Sequence, residues 1–171
     1  MLELRSPTLS DELAFRAAVA EFKLHDPEWH FAFHFTEATD FSAYVERVRN
    51  QTKGKDLGDF VSNTYLIAVV GNKVVGRVSL RHELNAFLSK KGGHIGYGVV
   101  PSERRRGYAK EILRQTLPIA KELGLTRVLL TCDDDNIASA RTIERNGGIL
   151  EGIVSDESES PAVFRRYWIN L

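Results

Sequence analysis

The stretch 100-VPSERRRGYAKEILRQ-115 decides the fold prediction, because strand-like residues give way to helical spacing within it. Apolar residues recur at intervals of three and four after Gly107, which predicts a helix beginning there. The first N–H groups of a helix have no partner inside it, and that end carries about half a positive charge. Glycine allows close approach of a ligand, and arginines add forked donors. The segment predicts either a phosphate-binding helix mouth or a basic helix start in which Gly107 is only a turn.

The rest of the chain predicts an α+β domain that spans residues 1–171. The Gly71-Asn72 pair predicts a tight hairpin, and Gly124 fits the position after a helix end. Leu13, Ala17, Ala20 and Leu24 suggest the apolar face of the first helix. The element order is β-α-α-β-β-β-α-β-α-β-β, which predicts one central mixed sheet flanked by helices. Strands are expected at 2–5, 64–70, 73–84, 94–100, 126–132, 149–154 and 163–169, and helices near 11–24, 41–50, 107–123 and 137–145.

The composition narrows the classes of function. Lysine plus arginine equal aspartate plus glutamate at 23 each, so a general nucleic-acid or membrane-surface binder is not expected. The single cysteine, Cys132, excludes an internal disulfide framework, and its place on a buried strand indicates packing. No signal peptide is expected at the N-terminus, and no apolar run approaches the roughly 20 residues of a membrane span. A cytoplasmic protein is therefore expected.

Two common nucleotide-binding motifs are not supported. The Walker pattern does not occur, and Gly96-Tyr97-Gly98 begins like a dinucleotide fingerprint but has Pro101 where a third glycine belongs. The segment Arg104 to Ala109 instead resembles the coenzyme A pyrophosphate loop, [RQ]-x-x-G-x-[GA], of the GNAT superfamily of acyl-CoA-dependent N-acetyltransferases. The strand before the loop, the long helix after it, and 136-NIASARTIERNGG-148 strengthen the resemblance.

The resemblance implies a V-shaped splay between the two central strands, with acetyl-CoA bound in it and no metal. By resemblance, the pantetheine amides would pair with backbone groups of two adjacent strand residues, and the pyrophosphate with the loop. Asn136 would reach the pantetheine arm, although an asparagine before a helix is also a favoured N-cap. Ser139 would lie near the thioester sulfur. The implied cofactor-binding residues are Val99, Val100, Arg104, Arg105, Arg106, Gly107, Tyr108, Ala109, Asn136 and Ser139.

The chain departs from the family at the general acid. Many members carry tyrosine seven residues after the asparagine, and this chain has Ile143 there. The thiolate could leave unaided, or another donor could serve, with Ser139, Tyr97, Tyr108 and Tyr167 as candidates. For the general base, which must deprotonate an alkylammonium, the candidates are His94, Glu83 and His82. His94 could equally be a strand-end residue hydrogen-bonded to the backbone.

The acceptor side is less defined by the sequence. The run Asp133 to Asp135 could attract a cationic amine or simply solvate a loop. Glu28, His30 and His34 complete no metal motif, and the aromatic segment 29–35 indicates core or a wall of the acceptor pocket. The expected activity is acetyl transfer to a primary amine, with a non-catalytic acyl-CoA sensor as the alternative. Aminoglycosides, polyamines, amino acids and protein N-termini stay open as acceptors. The C-terminal hairpin could pair with a second copy in a homodimer.

Overall fold

A computed structural model of the chain describes residues 1–156 and 162–171. The acidic sequence 155-SDESESP-161 predicts a solvated turn. Residues 157–161 of this segment lie outside the described residues. The helices are α1 (Glu12–His25), α2 (Phe41–Thr52), α3 (Ala86–Lys90), α4 (Tyr108–Glu122) and α5 (Ile137–Glu144). The strands are β1 (Glu3–Arg5), β2 (Asn63–Val70), β3 (Lys73–Arg81), β4 (Ile95–Val99), β5 (Arg127–Asp133), β6 (Ile149–Asp156) and β7 (Ala162–Asn170).

The strands form two antiparallel sheets, one in the order β1-β2-β3-β4 and the other in the order β5-β7-β6. The predicted α+β class, with helices flanking the strands, is confirmed. The predicted single mixed sheet is divided between β4 and β5, where the resemblance implied a splay. A single bridge between Gly93 and Leu130 joins the two sheets within the described residues.

Local sequence signals place the helix ends. The side chain of Asp40 accepts hydrogen bonds from the N–H groups of Ser42 and Ala43 at 2.8 and 3.1 Å, which caps α2. Gly107 and Gly124 flank α4 with φ values of 82° and 86°, a backbone region that glycine enters without strain. The predicted position of Gly124 after the helix end is thus confirmed, and α4 continues through Pro118.

Both faces of the four-stranded sheet are buried, because successive side chains of β2 and β3 pack alternately into two apolar clusters. Leu66, Val78 and Leu80 pack on the side of α4 and α5. Tyr65 and Ile67 pack on the opposite side, under α1 and α2. The helices thereby enclose the sheet, and the edge of β4 is left beside β5.

The predicted apolar face of α1 is wrong. Leu13 and Leu24 are 86% and 78% exposed, whereas Phe15, Ala18 and Phe22 are buried. Both sets have helical spacing, but the two phenylalanines bury larger aromatic surfaces and meet other rings, including Phe31 at 5.9 and 5.1 Å between ring centroids. Among residues 1–156 and 162–171, no helix combines the length and the apolar character that a bilayer crossing requires.

Candidate active site

The candidate site is the opening between β4 and β5, which begins at a backbone contact around His94. The His94 N–H donates to the Leu129 carbonyl at 2.7 Å, and the Leu129 N–H donates to His94 Nδ1 at 2.9 Å. The adjacent Gly93 pairs with Leu130. Beyond this contact, the described parts of β4 and β5 share no ladder. The two strands therefore expose facing edges.

The register of β3 and β4 shows which backbone groups face the opening. The Arg81 N–H donates to the His94 carbonyl at 2.7 Å, and the Val100 N–H donates to the Val75 carbonyl at 2.9 Å. Because only alternate residues of an antiparallel pair exchange hydrogen bonds, the N–H groups of Tyr97 and Val99 point away from β3. Val99 therefore lies on the open edge as expected for a pantetheine partner. The expectation for the backbone groups of Val100 needs correction, since its N–H donates to Val75 of β3 and its carbonyl accepts from the Glu103 N–H at 2.8 Å.

Two of the three arginines of the loop, Arg104 and Arg106, make bonds that hold the loop in place. Arg104 donates through Nε to the Val99 carbonyl at 3.2 Å and through Nη2 to Asp26 on the far side of the loop. Arg106 pairs with Glu103 at 3.1 Å, and the Glu103 carboxylate also accepts from Lys73 at 2.6 Å. These bonds lower the pKa of Glu103, with the Lys73 contact as the largest cause. Arg105 is exposed, so its side chain and the loop backbone remain available to an anion.

The backbone conformation of the loop suits an anion. Arg105 adopts a φ of 64° and Gly107 a φ of 82°, so a left-handed residue stands on each side of Arg106. Alternation of this kind turns successive N–H groups toward one side. A side chain at Gly107 would meet no atom within 4 Å, so the space in front of it is open. Arg105, Arg106 and Gly107 are exposed, while Tyr108 and Ala109 are half-buried at the start of α4.

Asn136 and Ser139, which follow β5, and Tyr97 of β4 form a chain of contacts across the opening. Asn136 Oδ1 accepts from the Ser139 N–H at 3.0 Å, so the asparagine caps α5 and keeps its amide nitrogen for other partners. Tyr97 Oη lies 3.1 Å from Ser139 Oγ. Burial raises the pKa of Tyr97 to about 12, and the phenol is therefore protonated at neutral pH. Ile143 is fully buried, so the position of the family tyrosine belongs to the core.

His94 does not have a free nitrogen for general-base catalysis. It is 7% exposed, and its Nδ1 lone pair accepts the Leu129 N–H, so the neutral ring carries its proton on Nε2. Burial, with the nearby Arg81 charge as a second cause, lowers the pKa of His94. The alternative interpretation, a strand-end histidine bonded to the backbone, describes this geometry. His94 therefore connects β4 to β5 by two hydrogen bonds at the point where the opening begins.

The other candidate bases lie after β3. Glu83 is exposed in the bend that follows Arg81. His82 Nε2 lies 2.8 Å from Thr64 Oγ1, and burial lowers the pKa of His82 while the Glu83 charge opposes that change. Glu83 is therefore the less constrained of the two.

Sequence reasoning missed a pair of arginines on β3. Arg77 and Arg81 share the sheet face of Ser79, opposite the core face of Val78 and Leu80. Burial lowers the pKa of each guanidinium to about 10. The alternation of arginine and serine with apolar residues in 77-RVSLR-81 was the available signal, because it marks a second face that is not simply core.

The remaining predicted groups are distributed over the surface and core. Asp134 pairs with Arg165 at 2.8 Å, while Asp133 and Asp135 are exposed. Cys132 lies in the core cluster under α4, and burial raises the pKa of its thiol. In the part of the chain that the structure describes, which includes Glu28 and His30, no group of three or more His, Cys, Asp or Glu side chains could hold a metal ion.

Comparison with known proteins agrees with this architecture. Residues 1–149 match the family model described as acetyltransferase (GNAT) domain. The uncharacterized N-acetyltransferase YnaD of Bacillus subtilis (strain 168) is 25% identical over 147 residues, which cover 80% of this chain and 81% of that protein.

Solved structures share the fold at lower identity. The ribosomal-protein-S5-alanine acetyltransferase of Vibrio fischeri has a TM-score of 0.73 at 16% identity, covering 99% of this chain and 92% of that chain. The ribosomal L7/L12 alpha-N-protein acetyltransferase RimL, solved with coenzyme A, has a TM-score of 0.70 at 19% identity, covering 99% of this chain and 94% of that chain. The microcin C7 self-immunity acetyltransferase MccE, solved with acetyl-CoA and AMP, has a TM-score of 0.69 at 18% identity, covering 99% of this chain and 92% of that chain. The family model spans most of the chain, and the chain belongs to the GNAT acetyltransferase family.

Proposed function

We propose that this protein transfers the acetyl group of acetyl-CoA directly to a primary amine. The observation that carries the proposal is the joint position of the left-handed loop at Arg105 and Gly107 and the open edge of β4. The loop would hold the pyrophosphate through its N–H groups at the mouth of α4. The pantetheine would add to the free edge at Tyr97 and Val99 as an extra strand does. Relatives solved with acetyl-CoA or coenzyme A support the choice of cofactor.

In the proposed reaction, the amine nitrogen attacks the thioester carbonyl carbon and the C–S bond breaks. An edge N–H of β4 would stabilise the negative charge that develops on the carbonyl oxygen. The amine must lose a proton first, and Glu83, acting directly or through water, is our candidate base. The hydroxyls of Tyr97 and Ser139 lie 3.1 Å apart and are our candidate donors of a proton to the departing thiolate.

The first test is calorimetric titration of acetyl-CoA into the wild type and the Gly107→Glu variant. Two like charges about 4 Å apart repel by about 4 kcal/mol at an effective dielectric constant of about 20, so affinity should fall at least about 100-fold. Gly124→Glu is the matched control, because Gly124 has a similar φ of 86° and equally open space at the other end of α4. Equal affinity of the wild type and Gly107→Glu for acetyl-CoA would contradict the proposed pyrophosphate site.

A non-catalytic acyl-CoA sensor is the second candidate, and the burial of Ile143 where many relatives carry an acid favours it. Both functions predict the same binding result. They separate in an assay of thiol release from acetyl-CoA with a panel of amines. Amine-dependent release by the wild type would establish the transferase, whereas binding without release across the panel would favour the sensor.

A further inference from the structure

A pocket of about 220 Å³ lies on the α2 side of the four-stranded sheet, and we call it the α2 pocket. Its walls come from α2, β2, β3, α3 and the segments 33–34 and 59–61. Aromatic rings line much of it, including Phe33, Tyr44 and Phe60. The volume is below the roughly 300–1,000 Å³ of typical drug-sized sites, so the pocket suits a small ligand.

The charge of the α2 pocket is positive. Arg47 and Arg81 line it, and Asp59, at its exposed rim, is the one carboxylate in its lining among the described residues. Arg47 Nη2 donates to the carbonyls of Phe33 and His34 at 3.3 and 3.2 Å. Arg81 Nη1 donates to two glycine carbonyls at 3.3 Å. Both guanidiniums therefore keep further donors for a ligand.

Arg77 adds a buried charge behind the wall of the α2 pocket. It is 2% exposed, stacks 3.9 Å from the Trp29 ring centroid, and lies 5.9 Å from the ring of Tyr65, which lines the pocket. Its Nη atoms donate to the carbonyls of Gly96 and His30 at 3.0 and 2.6 Å, and its Nε atom has no partner. An unpaired buried charge is costly to a fold.

Within the described residues, no carboxylate forms an ion pair with these arginines. None of the ion pairs found there at 4.0 Å or less includes Arg47, Arg77 or Arg81. Two arginines in the lining of one small pocket, with the Arg77 charge behind its wall, favour an anionic ligand, because burial strengthens the electrostatic interaction relative to water. Arginine is also well suited to binding carboxylate and phosphate oxygens, since its planar fork matches their geometry.

The α2 pocket reaches the strand that borders the reaction site. Arg81 Nη1 lies 3.1 Å from the position that a Cβ atom of Gly96 would occupy, so the guanidinium lies against one face of β4 at that glycine. The next residue, Tyr97, has its backbone on the open edge. A ligand held by Arg81 would therefore lie beside the strand against which the thioester is proposed to bind. A side chain at Gly96 would displace Arg81 from this position.

From this arrangement we infer that the acceptor is a small amine carrying an oxyanion group, a carboxylate or a phosphate, which Arg81 and Arg47 bind in the α2 pocket. The inference rests on the proposed acetyl transfer and narrows its substrate. It disfavours polyamines and aminoglycosides, because these polycations would meet two lining arginines with the Arg77 charge behind them. Amino-acid-like acceptors and amino phosphates fit the charge and the size.

Binding of product analogues tests the pocket independently of turnover. The panel consists of N-acetyl amino acids as free acids and as primary amides, with N-acetyl phosphoethanolamine and N-acetylethanolamine as the phosphate pair. Thermal-shift titrations use the protein saturated with coenzyme A, so that phosphate cannot occupy the pyrophosphate loop. We expect at least one charged member to bind about 10- to 100-fold more tightly than its neutral partner. The pair that shows this preference identifies carboxylate or phosphate as the anion.

Arg81→Gln and Arg47→Gln should remove that preference, and Arg81→Lys should keep part of it. Arg49→Gln is the matched control, because Arg49 lies exposed on the same helix as Arg47 and does not line the pocket. Equal binding of charged and neutral partners, tighter binding of the neutral ones, or no binding at 10 mM (about 100-fold above a typical KM) overturns the inference.

Turnover of the corresponding free amines separates this inference from the proposed function. Acetylation of neutral and anionic amines at equal kcat/KM overturns the anion inference and leaves the transferase. A charged preference in binding without acetylation of any panel member keeps the anion pocket and counts against the transferase.

Discussion

A single hydrogen bond determines what His94 can do. Its Nδ1 atom accepts from a backbone N–H of the neighbouring sheet, so the ring takes the place of a carbonyl in the contact between β4 and β5. The sequence placed a histidine at the start of the central strand and suggested a base as one of two roles. The partner, Leu129, lies 35 positions away, and the direction of its N–H depends on the pairing of β5 with β7. Sequence spacing does not contain that information.

The Asp11 carboxylate illustrates a polar cluster that controls stability. It is 7% exposed and accepts from both Nη atoms of Arg5 at 2.7 Å, from the Thr8 N–H at 2.8 Å and from Thr8 Oγ1 at 2.7 Å. The bonds with Arg5 are the largest cause that lowers the pKa of Asp11, to about 2. An unfolded aspartate titrates near pH 3.9, so the folded state binds fewer protons between these values. The stabilisation is therefore complete above about pH 4 and is lost as the pH falls toward 2.

Asp11→Asn should lower the free energy of unfolding at pH 7 by about 2 kcal/mol and reduce the loss of stability between pH 4 and pH 2. Urea unfolding at several pH values measures both effects. The exposed Asp59 gives the control Asp59→Asn, which should leave the curve within about 0.5 kcal/mol of the wild type. If the free energy of unfolding of Asp11→Asn falls between pH 4 and pH 2 as much as that of the wild type, the cluster around Asp11 does not cause this acid dependence.

Substitutions of Tyr97 and Ser139 test whether their hydroxyl pair is the general acid. Tyr97→Phe and Ser139→Ala should each lower kcat by about 100-fold or more, because a positioned general acid contributes roughly 10² to 10⁴ in rate. Affinity for coenzyme A should stay within about twofold. The double variant should lose little more than the worse single variant, since each hydroxyl acts through the other. Full activity in all three variants would mean that the thiolate leaves unaided.

At the scale of elements, the sequence predicted most strands and helices, and the errors have physical causes. β3 ends at Arg81 instead of residue 84, because the chain bends after it. The five-residue helix α3 was not predicted, since so short a segment shows no periodicity. The wrong face of α1 came from two leucines that have the same spacing as the true aromatic core. Local patterns identify an element more readily than its partners.

The contact between the two sheets depends on one glycine. A Cβ atom on Gly93 would lie 2.3 Å from the Leu129 carbonyl oxygen, and the φ of Gly93 is 63°. Gly93→Ala should therefore lower the free energy of unfolding by about 3 kcal/mol or more, from backbone strain and the clash together. Urea unfolding measures the change, and calorimetry should show weaker binding of acetyl-CoA.

Gly92→Ala is the matched control for that prediction. Gly92 has φ of 98°, but its added Cβ would meet a flexible side-chain atom, Leu88 Cδ2, at 3.2 Å. The expected cost is about 1–2 kcal/mol, from the backbone conformation alone. Equal destabilisation by the two alanines would mean that the approach to Leu129 is not the decisive contact.

At the scale of the whole molecule, the candidate site is assembled from distant segments. Arg47 on α2 and Arg81 on β3 line the α2 pocket, and the loop that is proposed to hold the pyrophosphate follows β4. The motif in the loop was visible in the sequence because its residues are contiguous, whereas the arginine pocket requires the fold. The homodimer stays a prediction. Strand β6 is an edge strand, and Ile149, Leu150, Ile153 and Val154 are exposed on it.

Acetyl-CoA should change backbone protection on one edge of β4 only. The amides of Gly96 and Gly98 already bind β3, whereas those of Tyr97 and Val99 face the opening. If the pantetheine adds to this edge, amide hydrogen exchange should slow by about tenfold or more at Tyr97 or Val99, with much smaller changes at the two glycines. Exchange measured by NMR with and without acetyl-CoA gives the residue-by-residue comparison. Uniform slowing of all four amides would instead indicate general stabilisation of the fold by a ligand bound elsewhere, since global opening limits every amide alike.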